Sequence, residues 1–64
     1  MLPYRQARQS GVAMGPAQQG WQLWLRHDAD SAQLQELLRV HGQPSLVEYL
    51  EPALFDERLG QLYQ

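Results

Sequence analysis

Residues 21–42, WQLWLRHDADSAQLQELLRVHG, decide the fold. The first six alternate. Trp21, Leu23 and Leu25 fall on one side, and Gln22, Trp24 and Arg26 on the other, which is the period-two pattern of a strand. The chemistry then changes. Asp30 or Ser31 can cap a helix, and Asp30 with Gln33 has the spacing of a capping box. Leu34, Leu37, Leu38 and His41 follow at helical spacing and share a face. Gly42 stops the helix, and Pro44 prevents its resumption.

The flanking segments extend this pattern. SLVEYL (45–50) carries the β-favouring Val47 and Tyr49 and reads as a further strand. Strand, helix, strand in this order is a crossover unit, so 21–26 and 46–50 should run parallel, with a right-handed connection. Upstream, GVAMG (11–15) alternates weakly, with Val12 and Met14 on one side. PAQQG (16–20) is turn chemistry, so an antiparallel hairpin with 21–26 is expected. At the start, Pro3 suits the first helical position and Gly11 a left-handed stop, giving a short helix over 3–10 with Tyr4 and Ala7 on its docked face. That helix is too short to stand alone. EPALFDERLGQLYQ (51–64) is a last helix with Pro52 in its first turn. Phe55, Leu59 and Leu62 stack along one side, with Tyr63 at its edge.

The expected fold class is therefore α+β: a small three-stranded mixed sheet, hairpin plus βαβ crossover, packed with three helices. The 64 residues form a single domain, 1–64. A chain of this size buries only roughly 60% of its unfolded surface and is marginal by itself. No disulfide reinforces it, because there is no cysteine.

Composition bounds the function. The formal charge is −2, with five basic residues, all arginine and all scattered. Nucleic-acid binding needs a clustered basic face, and none is visible. No apolar run approaches the roughly 20 residues that span a bilayer, and no signal-peptide core is present. A soluble, cytoplasmic chain is expected. Without lysine, the phosphate-binding loop GxxxxGK[ST] cannot exist here, and GxSxG and HExxH are also missing. His27, Asp28 and Asp30 could hold a cation weakly, but acids leading into a helix N-terminus are favoured by its dipole. Glu48 with Glu51, and Asp56 with Glu57, are close in sequence, yet paired carboxylates do chemistry only across a cleft. No catalytic, cofactor or metal residue is assigned. Trp21 reads as core. Trp24, on the other sheet face, is either covered by a helix or exposed as a binding aromatic. Glu36 and Arg39 lie off the leucine stripe and can form an i, i+3 pair; Val40 sits beside them.

In order, these segments resemble a known family. LPYRQARQSGVAM (2–14) resembles the opening of the type II secretion ATPase, general secretion pathway protein E, which begins with Leu-Pro-aromatic, then alanine and basic residues, then Gly-Val. LQELLRVHGQP (34–44) resembles the family's helix, with Leu34, Glu36 and Arg39 in place. LFDERLGQLYQ (54–64) resembles the end of the same domain, with Phe55, Leu59 and the closing Tyr63-Gln64. The resemblance implies an N-terminal docking domain of a much longer hexameric ATPase. Such a domain does not hydrolyse ATP. It tethers the motor to the cytoplasmic domain of the inner-membrane protein L, and lies in the cytoplasm at the inner-membrane face. The family's ATP-binding loop and zinc-binding cysteines lie further along the parent chain, so nucleotide and metal roles do not carry over. This sequence departs from the pattern in having no lysine near Arg39. Trp24, Arg26, Glu36 and Arg39 are the expected partner-binding residues. Two other readings stay open. RLGQLY (58–63) looks similar to the Arg-Leu-Gly motif with which related pilus ATPases bind a cyclic dinucleotide, and the chain could instead be a small self-associating structural protein.

Overall fold

Gly11 makes the first decision of the chain. The computed structural model describes residues 2–63; Met1 and Gln64, at the ends of the expected domain, lie outside the described residues. Helix α1 spans Tyr4–Ser10, one residue later than Pro3 suggested, because Pro3 keeps an extended backbone and acts as the N-cap. Gly11 then takes φ +72°, the left-handed conformation that costs glycine least, and its N–H donates to Ala7 O at 3.0 Å. Strand β1 (Val12–Pro16), strand β2 (Trp21–Arg26), helix α2 (Ser31–His41), strand β3 (Leu46–Leu50) and helix α3 (Pro52–Leu62) follow.

The sheet order is β1-β2-β3, with β1 antiparallel and β3 parallel to β2. The α+β class, the hairpin and the parallel crossover are as the alternation implied. Pro16 belongs to β1 rather than to the turn. It pairs opposite Trp21, at a position that needs no N–H from it, so an edge strand accepts it there.

The two faces of β2 collect two cores. Leu23 and Leu25 join Val12 of β1 and Leu37 of α2, with Trp21, Met14 and Leu34 packed against them. Trp24 joins Ala7 of α1, Ala13 of β1, Leu50 of β3, and Phe55 and Leu59 of α3. The sheet is thus sandwiched between α2 on one side and α1 with α3 on the other. Phe55, Leu59 and Val12 are the largest side chains wholly out of water.

Three local expectations change in the fold. Asp30 caps α2 alone, accepting from Ala32 N at 2.9 Å, while the Gln33 side chain accepts from Gln6 Nε2 at 2.6 Å across to α1. The reciprocal half of the capping box is therefore absent. On α2 only Leu37 is fully buried; Leu34 and Leu38 are half-buried, and His41 is exposed with its ring tilted against Trp21 at 5.7 Å. On α1 the docked face is Ala7 with Ser10, while Tyr4 remains 43% exposed and meets Tyr63 edge-on, ring centroids 5.4 Å apart.

Candidate docking surface

The four residues expected to meet a partner occupy very different environments. Trp24 is 3% exposed, because α3 covers its sheet face. Its indole N–H donates to Glu48 Oε1 at 3.1 Å, and the Arg58 guanidinium stands 5.8 Å over its ring. A molecule approaching Trp24 would meet Glu48 and Arg58 first.

Arg26 is committed inside the domain. It donates through Nη1 to Arg8 O at 2.9 Å and through Nη2 to Gln9 O at 3.4 Å, the open carbonyls at the end of α1. Its Nε donates to Asp28, and its guanidinium lies 5.5 Å over the Phe55 ring. One side chain thereby ties α1, β2 and α3 together. The hydrogen bond from Arg26, aided by its charge, holds the Asp28 carboxyl below the usual aspartate value. With Asp28 paired to Arg26 and Asp30 capping α2, the acids of HDAD both have structural work. Among the described residues no group of three metal-ligating side chains converges.

Glu36 and Arg39 are exposed to water and face each other on α2. Arg39 Nε donates to Glu36 Oε2 at 3.2 Å, and Nη2 donates to Oε1, a two-pronged pair. Hydrogen bonding from Arg39 lowers the Glu36 pKa and raises that of Arg39. These two and Val40 form a polar outer helix face with one exposed aliphatic group. The structure does not bring them together with Trp24 and Arg26, which sit on the opposite side of the sheet.

A different surface stands out. On β3, Leu46 is 60% exposed, Val47 47% and Tyr49 70%, and only Leu50 is buried. Val47 and Tyr49 lie in register with Leu23 and Leu25, on the α2 face, but α2 packs over β1 and β2 and leaves them uncovered. On the other face, Leu54 of α3 is 47% exposed beside a hollow of about 160 Å³ lined by Glu48, Leu50, Leu54, Glu57, Arg58 and Gln61. A larger open hollow, about 620 Å³, is lined by Ala17, Gln18, Gln19, Ser45 and Leu46 and holds no titratable side chain. The apolar run LVEYL was visible in the sequence. What the sequence did not signal is that this strand would lie at an edge with no helix over Val47 and Tyr49.

Arg58, Leu59 and Gly60 fall inside α3, with Leu59 in the core and Arg58 over Trp24. The Arg-Leu-Gly sequence thus serves helix packing and does not open a helix.

The chain is a small α+β domain with a core on each face of its sheet, and Leu46, Val47 and Tyr49 of the edge strand β3 are among its large exposed apolar side chains. The chain belongs to the N-terminal domain family of GSPII protein E, whose model matches residues 1–63. It is an N-terminal domain of a type II secretion ATPase. No match was found among curated proteins or among solved structures. No described helix is long and apolar enough to cross a membrane.

Proposed function

We propose that this domain is a protein-interaction module that tethers its secretion ATPase to the cytoplasmic domain of the inner-membrane protein L, and that it carries out no reaction itself. The observation that carries the reading is the exposed apolar line Leu46, Val47 and Tyr49 on a domain whose cores are otherwise closed. A chain this small gains little from leaving such groups in water unless a partner covers them. On the other face of the same strand stand charged and amide side chains, Glu48, Glu57, Arg58 and Gln61, which suit the polar rim of an interface. Glu36 and Arg39 would contribute at the periphery, steering association more than strengthening it. The complex would hold the domain in the cytoplasm against the inner membrane.

Sedimentation velocity of the 64-residue chain, alone and mixed with the cytoplasmic domain of protein L, tests this reading. The chain alone should sediment as a monomer, and the mixture should give one faster boundary containing both proteins. Two independent boundaries would overturn it. A concentration-dependent dimer of the chain alone would favour self-association, and a calorimetric response to a cyclic dinucleotide would favour ligand sensing.

A further inference from the structure

The backbone of β3 says how such a partner would be held. Arg26 donates its N–H to Gly11 O at 2.8 Å. Along β2 the backbone groups of Gln22, Trp24 and Arg26 therefore face β1, and those of Trp21, Leu23 and Leu25 face β3. Trp21 O does point to that side: it accepts at 2.7 Å from the N–H of Ser45, in the bend just before β3 begins. In a parallel pair, a residue opposite one that faces its neighbour turns its own groups away. Val47 is opposite Leu23, and Tyr49 is opposite Leu25. Their N–H and C=O groups thus point out of the three-stranded sheet.

Free edges of this kind are ordinarily blunted by proline, lysine, a bulge or a covering segment. The other edge, β1, ends in Pro16. β3 carries no proline and no lysine, and its side chains at the edge are exposed. Its one charged residue, Glu48, already accepts from the Trp24 indole through Oε1, and the hollow it lines holds Glu57 and Arg58 besides, two carboxylates against one guanidinium.

We infer that the outer edge of β3 takes an extended segment of the partner as a fourth strand, with a lysine or arginine of that segment opposite Glu48. This rests on the docking reading above. Strand addition supplies main-chain hydrogen bonds, and alternate side chains supply selectivity. On the α2 side the added strand would cover Val47 and Tyr49 with apolar residues. On the α3 side its basic residue would enter the hollow between Glu48 and Glu57. The same charge argues against a second copy as occupant. Two β3 strands pairing antiparallel use the outward groups fully only when Val47 of one faces Tyr49 of the other. That register sets the two Glu48 side chains directly opposite, in the closely spaced non-hydrogen-bonded position, where like charges destabilise.

Amide hydrogen exchange of the ¹⁵N-labelled full chain, read by NMR with and without the cytoplasmic domain of protein L, tests the inference. Free, the Val47 and Tyr49 amides should exchange quickly; in the complex both should slow by about tenfold or more, as newly paired backbone groups do. Val47→Pro removes an outward N–H and no ladder bond, and should weaken binding by about tenfold or more. Glu48→Gln keeps an acceptor for Trp24 but drops the charge, and should weaken binding several-fold while the exchange pattern of the free domain stays unchanged. A complex that forms while Val47 and Tyr49 still exchange quickly overturns the edge and leaves the docking reading standing. If no complex forms, the docking reading falls, and a short peptide alternating valine and threonine around one central lysine decides the edge. Slowed Val47 and Tyr49 amides with that peptide support it; unchanged amides overturn it. Slowing that grows with the concentration of the chain alone assigns the edge to a second copy and overturns the inference.

Discussion

Trp21 and Trp24 share a strand and meet different needs. Trp24 fills the core between β2 and α3 and places its N–H on Glu48. Trp21 is half-buried, and its Nε1 is shielded from water without a hydrogen-bond partner. A buried donor without a partner is already a cost, so removing it relieves part of what the smaller ring loses. Trp24→Phe should therefore destabilise the domain by about 1 kcal/mol more than Trp21→Phe, read from urea midpoints at constant slope. The reverse order would contradict this assignment of the two indoles. Gly15 is the other sensitive position on this face. A Cβ there would come within 2.9 Å of the Trp24 ring and 3.2 Å of Leu62. Gly15→Ala should cost about 1–3 kcal/mol by overpacking, visible in the same unfolding experiment. Neither the Gly15 contact nor the Glu48 acceptor was legible in the sequence, because both join residues that only the sheet register brings together.

Helix α1 has only seven residues and no side-chain cap at its start, so its C-terminal end carries its stability. Arg26 and Gly11 supply that end. Arg26→Ala should cost about 1–3 kcal/mol through the lost bonds to Arg8 O and Gln9 O, and Arg26→Lys should not restore both, since an ammonium lacks the planar fork. A carboxylate titration of the variant gives a second readout. In the native domain Asp28 ionises below the usual aspartate value because Arg26 hydrogen-bonds it. Its pairing thus favours the fold above the unfolded carboxylate range and is lost as pH falls through the lowered native value. In Arg26→Ala the Asp28 titration should move up to the ordinary value; an unmoved midpoint would contradict the pairing. Helix α3 offers the opposite change. Gly60 lies within it with open space where a Cβ would stand, so Gly60→Ala should raise stability by about 0.5–1 kcal/mol, seen as a higher Tm. The elements themselves were largely readable: the alternation of Trp21–Arg26, the Asp30 cap, the Gly11 and Gly42 stops and the Phe55–Leu59 stripe all act locally. Arg26 was legible as polar and outward, but its role depends on where α1 ends in space. The sharing of Gln33 with Gln6, which undoes the capping box, has the same tertiary origin.

For the whole molecule, the two ends of the described chain are drawn together. The Tyr63 hydroxyl donates to Leu2 O, and Tyr4 packs edge-on against Tyr63. Burial raises the Tyr63 pKa, so its neutral form supports the fold below the unfolded tyrosine range, and that support fades as pH rises through the raised value. Away from this contact, Leu46, Val47 and Tyr49 of the edge strand β3 stay exposed. The site residues expected from sequence sit in unlike surroundings for a physical reason. Period two assigns Trp24 and Arg26 to a face but does not reveal that α1 and α3 both pack on it, whereas Glu36 and Arg39 lie off a helical stripe and stay in water as their spacing implied. The edge position of β3 follows from strand order, which short-range pattern does not encode. Covering Leu46, Val47 and Tyr49 on binding removes apolar surface from water, and that burial has a thermodynamic signature in a negative heat-capacity change. Calorimetric titration of the chain with the cytoplasmic domain of protein L at several temperatures reads it. Saturable one-to-one binding whose enthalpy grows more favourable on warming is expected; the absence of any binding heat across the temperature series, or binding with no heat-capacity change, would contradict docking through this edge strand.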